Sequence, residues 1–357
     1  MKIIIKFIYI FFVYTILISC NSNDRSEIPI ISVDVYQDEP LSLSEISEDI
    51  KAIELETTDE SLIGGCGRVL VSDDYILFLD VTRFEYKIFL FDRSGKFLRQ
   101  ISRKGQGPGE YSVIQDITAD FKNNRIYIST GNLMCYDFEG NFIHEVKHFN
   151  VEYLNFTSGK FTAINPIVVA GDVMDYKRNI VLYEINSNMQ VIDSMILISF
   201  DTSNEYGMSI NYSNYLTYTE SNMYLCYSSP IISRKDDRIN QITLYQFNNK
   251  TLIPDLRLQL NDGKSMRGIS TLYMYRSSRY VFEQHGFKES GTFCYDLKTK
   301  KGNNMKKGYK DDVHTGEYVH IRPFDSDADK FYYLHTNMKD SDDEEPNPTL
   351  YIGTLKK

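Results

Sequence analysis

The chain has 357 residues, 49 acidic against 39 basic, and a formal net charge of −10. With 42% hydrophobic and 25% charged residues it has the composition of a globular chain, which excludes a disordered polymer, a collagen and a polytopic membrane protein. The acid excess argues against nucleic-acid binding, which needs a basic surface to neutralise phosphate. There are 27 Tyr and 21 Phe but no Trp. Tyr and Phe favour strands, so the expected class is all-β.

Lys2 and Lys6 precede an apolar run of 12 residues, Phe7 to Ile18. That run is too short to span a bilayer as a helix and fits the core of a signal peptide. It ends in Leu17-Ile18-Ser19-Cys20, which resembles the bacterial lipobox, with a hydrophobic residue at −3 and a small one at −1 before the lipidated cysteine. The resemblance implies a signal peptide over 1–19, cleavage before Cys20, and acylation of its sulfur and amine. Residues 20–27 then form a lipidated, polar tether. Loss of Lys2 and Lys6 takes the net charge from −10 to −12, so the lipid rather than headgroup electrostatics holds the chain to its membrane.

The remainder, 28–357, reads as one domain built from a six-fold repeat. Six residues, Phe91, Tyr136, Tyr183, Tyr245, Tyr295 and Tyr351, recur about every 52 positions, the size of one four-stranded propeller blade. Each follows a Leu or Cys: Leu90, Cys135, Leu182, Leu244, Cys294 and Leu350. That position therefore wants a medium apolar group, and Cys135 and Cys294 are expected to be buried free thiols in equivalent strands. After Phe91 and Tyr136 come Asp92-Arg93-Ser94-Gly95 and Asp137-Phe138-Glu139-Gly140. Here a strand ends at the acid and the glycine supplies the positive φ of a hairpin turn. A strand is expected upstream of each copy, at Tyr75 to Leu79, Arg125 to Ser129, Ile167 to Ala170, Met223 to Tyr227, Tyr280 to Glu283 and Lys330 to Leu334. Leu41 to Ile53 carries one short helical turn, and a long loop is expected around Asp201 to Ser213.

The expected fold is a six-bladed β-propeller of four-stranded antiparallel blades. Tyr351 occupies the third strand of the last blade, so its outermost strand must come from the N-terminal side. Ile28 to Tyr36 is the expected closing strand, with Ala52 to Glu56 the next candidate.

With this pattern the chain resembles the six-bladed, NHL-like propeller lipoproteins of bacterial envelopes. Three stretches carry the resemblance: Ile53 to Thr58 with Leu62-Ile63-Gly64 leading into blade 1, Gly105-Gln106-Gly107-Pro108-Gly109-Glu110-Tyr111 linking blades, and Asp116 to Asp120, Arg125 to Ser129 and Leu133 to Gly140 following it as in an NHL-type blade; Pro346-Asn347-Pro348 before the final strand is also similar to the family. The proline usual in an NHL repeat three residues after the aromatic is replaced by Ile114. The resemblance implies the fold and an outer-membrane location and is nearly silent on activity, because propellers host binding and catalysis alike.

Little in the sequence points to chemistry. A lyase among NHL-type propellers holds zinc through histidines, but His144 and His148 lie four apart along a strand, about 13 Å, too far for one metal. His285, His314, His320 and His335 show no ligand spacing. Asp340-Ser341-Asp342-Asp343-Glu344-Glu345 lacks the glycine and spaced glutamate of an EF-hand, and neither a G-x-S-x-G nor a phosphate-loop motif is present. No cofactor or metal is expected. Arg103, Lys104, Glu110 and Tyr111, around the Gly-rich link, are the candidate ligand-binding residues if that link faces solvent, since Tyr and Arg are recognition residues. Tyr206, Tyr212, Tyr215 and Tyr218 would suit sugars. The expected function is a non-enzymatic binding or scaffold protein for a glycan, peptide or partner protein. The alternative is a propeller hydrolase or lyase working at the channel mouth.

Overall fold

A computed structural model describes residues 28–357 apart from 84, 102–103, 170–175, 203–215, 221, 227–239, 249, 262–268, 288–289, 325 and 337–345. The signal run, Cys20, Arg103, Tyr206, Tyr212, Tyr215 and the acidic stretch 340–345 lie outside the described residues. The chain opens with β1 (Ile30–Asp34), a one-turn helix α1 (Leu43–Ile46) and β2 (Ser47–Glu54). Blade 1 follows as β3 (Arg68–Val71), β4 (Tyr75–Val81), β5 (Tyr86–Asp92) and β6 (Phe97–Gln100). Blade 2 is β7 (Asp116–Asp120), β8 (Arg125–Ser129), β9 (Leu133–Asp137) and β10 (Phe142–Val146). Blade 3 is β11 (Tyr153–Thr157), β12 (Lys160–Val169), β13 (Tyr176–Ile185) and β14 (Val191–Thr202). Blade 4 is β15 (Leu216–Tyr218), β16 (Met223–Cys226), β17 (Asn240–Asn248) and β18 (Thr251–Asn261). Blade 5 is β19 (Ile269–Arg276), β20 (Tyr280–Phe287), β21 (Gly291–Asp296) and β22 (Lys301–Met305). A small hairpin, β23 (Tyr309–Lys310) and β24 (Tyr318–Val319), leads to blade 6: β25 (Arg322–Pro323), β26 (Lys330–His335) and β27 (Thr349–Leu355). Each blade is an antiparallel meander, so the fold is the expected six-bladed propeller.

The core is six seams rather than one centre. Successive residues of a strand point to opposite faces, and here both faces are apolar. In blade 1, Leu77, Leu79, Ile88 and Leu90 pack on blade 2, while Ile76, Phe78, Phe89 and Phe91 pack on blade 6. The repeat read from the sequence marks this alternation. All six aromatic positions fall in third strands. The residue before each, Leu90, Cys135, Leu182, Leu244, Cys294 and Leu350, is buried in the seam with the following blade. Phe91, Tyr136, Tyr183, Tyr295 and Tyr351 turn to the preceding blade. Cys135 and Cys294 are buried and unpaired, as is Cys226, while Cys66 is exposed. Gly95 and Gly140 take φ of +93° and +83° in their hairpin turns, where Asp92 and Asp137 accept the backbone N–H groups of Lys96 and Asn141 through Oδ1.

Towards the axis the inner strands are tied by polar groups. Arg68 on β3 reaches Asp116 Oδ2 of blade 2 at 2.5 Å, and its Nη1 also donates to Ile117 O and to Leu154 O of blade 3 at 2.8 and 2.9 Å. Leu154 N donates to the same Asp116 oxygen at 2.7 Å. The Tyr153 hydroxyl carries the chain of bonds to Leu216 O of blade 4. Tyr273 joins blade 5 to Ile321, and Arg322 of blade 6 reaches back to Gly67 O ahead of blade 1.

Ring closure corrects the expectation for Ile28 to Tyr36. The closing strand is β2, antiparallel to β27 with Ile50 opposite Gly353 and Glu54 opposite Thr349. The next candidate, Ala52 to Glu56, overlaps its second half. β1 instead lies parallel to β18 as a fifth strand on blade 4, with Val33 and Val35 buried in the seam between blades 4 and 5. The reason is connectivity. The closing strand must hand the chain to the inner strand β3 through a link like the one between β6 and β7, and only β2 stands close enough in sequence. The segment between β1 and β2 is a belt. Glu39 N donates to Asn304 O of blade 5, Lys306 N to Asp38 Oδ1, and Lys310 N to Leu41 O. Ser44 Oγ donates to Asp312 Oδ2, and Lys356 Nζ donates to the carbonyls of Ser44 and Glu45.

The two N-terminal strands should therefore differ when removed. A chain beginning at Gln37 loses the burial of Val33 and Val35, about 3–6 kcal/mol, and should still fold with a lowered melting temperature. A chain beginning at Thr57 should not fold as a monomer. Circular dichroism melts test this, and equal melts for the two truncations would refute the assignment of β2 as the closing strand. At the axis, Arg68→Met leaves the Asp116 carboxylate buried without its cation and should destabilise by about 3–5 kcal/mol, with part recovered in Arg68→Met/Asp116→Leu. A double variant no more stable than the single one in denaturant titration would count against the pair.

Candidate functional site

The Gly-rich link between blades 1 and 2 is not an open recognition surface in its aromatic part. Tyr111 is only 2% exposed. It packs in the seam, and its hydroxyl donates to Tyr86 O at 2.8 Å. Burial pushes its phenol pKa upward. Glu110 is exposed, but its carboxylate accepts Gly107 N at 2.8 Å and closes the loop on itself. Gly105 lies against that carboxylate, and a Cβ there would sit 1.9 Å from Glu110 Oε2 unless the glutamate moved. Lys104 is exposed and its backbone bridges to Tyr111. Of the expected quartet, Lys104, Glu110 and Tyr111 therefore share one crossing segment, but the aromatic faces inward. Tyr218 closes β15 and lies partly buried beside blade 3.

The histidines do not gather. His144 and His148 are exposed on blade 2. His314 packs on Tyr351 and contacts Ile50 O of the closing strand. His285 is paired with Glu283 at 2.9 Å inside blade 5, and His335 lies 3.1 Å from Glu317. Among the described residues no group of three or more His, Cys, Asp or Glu could hold a metal.

A cavity of about 710 Å³ opens instead on the seam between blades 6 and 1, where the ring is closed. One wall is Asp59, Leu62, Ile63 and the run Gly64-Gly65-Cys66. A second is the end of β4 and the start of β5, and a third is Leu334, Thr336, Pro346 and Pro348. The two walls outside blade 1 are joined by Asn347. Its side chain is fully used: Oδ1 accepts Ile63 N, and Nδ2 donates to the carbonyls of Glu56 and Ser61, all at 2.8 Å. Its backbone N–H donates to Thr57 Oγ1. Two stretches that carry the family resemblance, Ile53 to Gly64 and Pro346-Asn347-Pro348, are thus one clamp in space.

Asp80 is the chemical centre of the cavity. It ends the apolar run of β4 and is 2% exposed. Its Oδ1 accepts Gly64 N at 3.1 Å and Gly65 N at 2.6 Å. The approach that makes these bonds is open only to glycine, since a Cβ on Gly65 would lie 2.1 Å from Val81 O and one on Gly64 2.8 Å from Thr82 Cγ2. Asp80 Oδ2 has no partner among the described residues and belongs to a side chain that lines the cavity. Burial raises the Asp80 pKa, and the two glycine N–H groups and Lys87 pull it back only in part. Lys87 is itself paired with Glu85 at 3.1 Å. Cys66 lies alongside as an exposed thiol. Sequence reading missed Asp80. Its signal was a lone acid inside Tyr75-Ile76-Leu77-Phe78-Leu79-Asp80-Val81, with a glycine-rich run just upstream.

A second cavity of about 620 Å³ lies between blades 3 and 4. Across its lining Lys250 pairs with Asp193 and Gln246 with Asn222.

The chain belongs to a family described as a domain of unknown function (DUF4934), which matches residues 26–354. No curated protein matches it. Among solved structures it is similar to a candidate exported protein of Bacteroides fragilis NCTC 9343, with a TM-score of 0.61 and 18% identity over 92% of this chain and 100% of that one. It is also matched, at a TM-score of 0.44 and 12% identity over 87% of this chain and 97% of that one, by a member of the DUF4221 family from Bacteroides vulgatus ATCC 8482. At these identities the likeness extends to the fold. The chain is thus a member of a six-bladed propeller family of unknown function.

Asp80 should behave as a residue kept at the expense of stability. Its folded pKa is raised, so its favourable contribution is complete below the unfolded value of about 3.9 and is lost as pH rises through the folded value. At pH 7 Asp80→Asn, whose amide oxygen can accept the same two N–H groups, should melt at or above the wild-type temperature. The difference should vanish as pH falls below 4. A variant that melts well below wild type at pH 7 would overturn this.

Proposed function

We propose that this chain is an exported lipoprotein of the bacterial envelope, anchored through Cys20 in the outer membrane, whose propeller is a non-enzymatic binding or scaffold module for a glycan, peptide or partner protein. The observation that carries the binding reading is the cavity on the closing seam, with the Asp80 carboxylate in its lining and only one of its oxygens taken up by the Gly64 and Gly65 N–H groups. A concave site lined mostly by apolar groups, with a few placed polar atoms, is the ordinary form of a ligand site. The anchoring reading rests on the apolar run 7–18 and the Leu17-Ile18-Ser19-Cys20 sequence, and the description of a protein of the same fold as a candidate exported protein agrees with it. The acidic surface favours neither nucleic acid nor anionic headgroups, which leaves the acyl chains as the membrane contact.

Cys20→Ala tests the anchor. The variant should leave the membrane fraction or remain unprocessed, and the mature wild-type protein should carry the mass of the acyl groups. A variant that fractionates and migrates like wild type would refute lipidation at Cys20.

A further inference from the structure

The cavity on the closing seam has a charge and shape that select one class of ligand. It is lined by three carboxylates, Asp59, Asp80 and Glu85, against one base, Lys87, and that base is already paired with Glu85. Asp80 is buried with one oxygen held by two backbone N–H groups and the other unpartnered among the described residues. The rest of the lining is largely apolar: Leu62, Phe78, Leu334, Pro346 and Pro348. An anion would meet uncompensated negative charge here. A neutral sugar could hydrogen-bond to Asp80 but would leave the two carboxylates in excess of Lys87 without a counter-charge. A bare divalent cation needs several oxygen ligands, and no cluster of that kind exists among the described residues. A long cationic side chain satisfies both parts, its methylenes against the apolar wall and its charged head on Asp80.

We propose that this cavity binds a lysine or arginine side chain of a peptide or partner protein, with Asp80 Oδ2 as the acceptor of its charged N–H group. The inference rests on the reading of the cavity as a ligand site. At about 710 Å³ the cavity is larger than one side chain, so part of the partner's backbone enters with it and meets the hydroxyls of Thr82 and Thr336. Lys87 stands opposite Asp80 in the β4–β5 register and offsets part of its charge, and Glu85 and Asp59 keep the lining negative overall. Because the acceptor is the carboxylate form, acidification weakens binding, and the rise in the Asp80 pKa moves that loss to a higher pH than for a free aspartate.

Cys66 supplies the readout, since it is the exposed thiol of the cavity while Cys135, Cys226 and Cys294 are buried. The rate of Cys66 alkylation by iodoacetamide would be followed in the purified full chain with acetyl-Ala-Lys-Ala-amide, its norleucine counterpart, 1,5-diaminopentane and a neutral oligosaccharide. The lysine peptide should protect Cys66 at concentrations at least about tenfold below the norleucine peptide. Asp80→Asn, whose amide oxygen can keep both glycine N–H bonds and the fold, should erase that difference. Equal protection by the lysine and norleucine peptides, or protection by the lysine peptide unchanged in Asp80→Asn, would overturn the inference. Protection by the diamine but not by the lysine peptide would overturn the peptide assignment. Protection by the oligosaccharide alone would overturn the cation while leaving the cavity a binding site, and protection by none would overturn both readings.

Discussion

Each blade of this protein is apolar on both faces, and that single constraint governs the rest. A sheet of this kind has no face it can leave in water, so every blade needs two neighbours and the last must meet the first. The seam between blades 6 and 1 is therefore as necessary as the other five, with Val69, Ile76, Phe78, Phe89 and Phe91 on one side and Phe324, Tyr332, Leu350 and Ile352 on the other. It differs from them in being assembled by residues far apart in sequence. β2 must find β27, and until it does both of these apolar surfaces are exposed.

The belt that carries the chain from β1 to β2 follows from that difficulty. It bonds in turn to blade 4, blade 5, the β23–β24 hairpin and the end of blade 6, through the β1–β18 pairing, Asn304, the Ser44–Asp312 contact and Lys356. Asn347 then locks the link that leaves β2 against the approach to β27. A strand held along its whole approach loses little further conformational freedom when it pairs. At the axis Arg68 and Asp116 have a parallel role, joining the inner strands of three blades through one guanidinium. A buried pair of this kind specifies geometry more than it adds stability.

The closing seam is also where the candidate site lies. The Gly-rich crossing between blades 1 and 2 folds down over its seam and fills it, as Tyr111 does. The link from β2 to β3 instead runs flat along β4, because Gly64, Gly65 and Gly67 bring its backbone against Asp80, Val81 and Leu79. Leu55 and Ile63 of that link pack into the seam, but the glycines that follow bring no side chain to it, and the cavity lies between them and Pro346 and Pro348. The same glycines that permit the close approach place two N–H groups on Asp80, which is how a carboxylate can sit at the end of a buried strand.

What the sequence by itself determined was whatever depends on neighbouring residues. Strand alternation, the turn glycines Gly95 and Gly140, the Leu or Cys before each aromatic, and hence the number of blades all follow from local pattern, because a strand's two faces are written in successive residues. Tertiary structure alone decided what depends on residues distant in the chain. Ile28 to Tyr36 and Ala52 to Glu56 are both possible closing strands by pattern, and only the need to reach β3 selects the second region, where the strand runs from Ser47 to Glu54. Tyr111 has the composition of a recognition residue and is turned inward by the seam it crosses. The roles of Asp80 and Asn347 are not written in their neighbours, since the bonds that define them run to Gly64, Gly65, Glu56 and Ser61, brought to them by the folding of the ring. A site built from backbone N–H groups and carbonyls leaves almost no trace in residue identity, and for that physical reason it became visible only when the ring was closed.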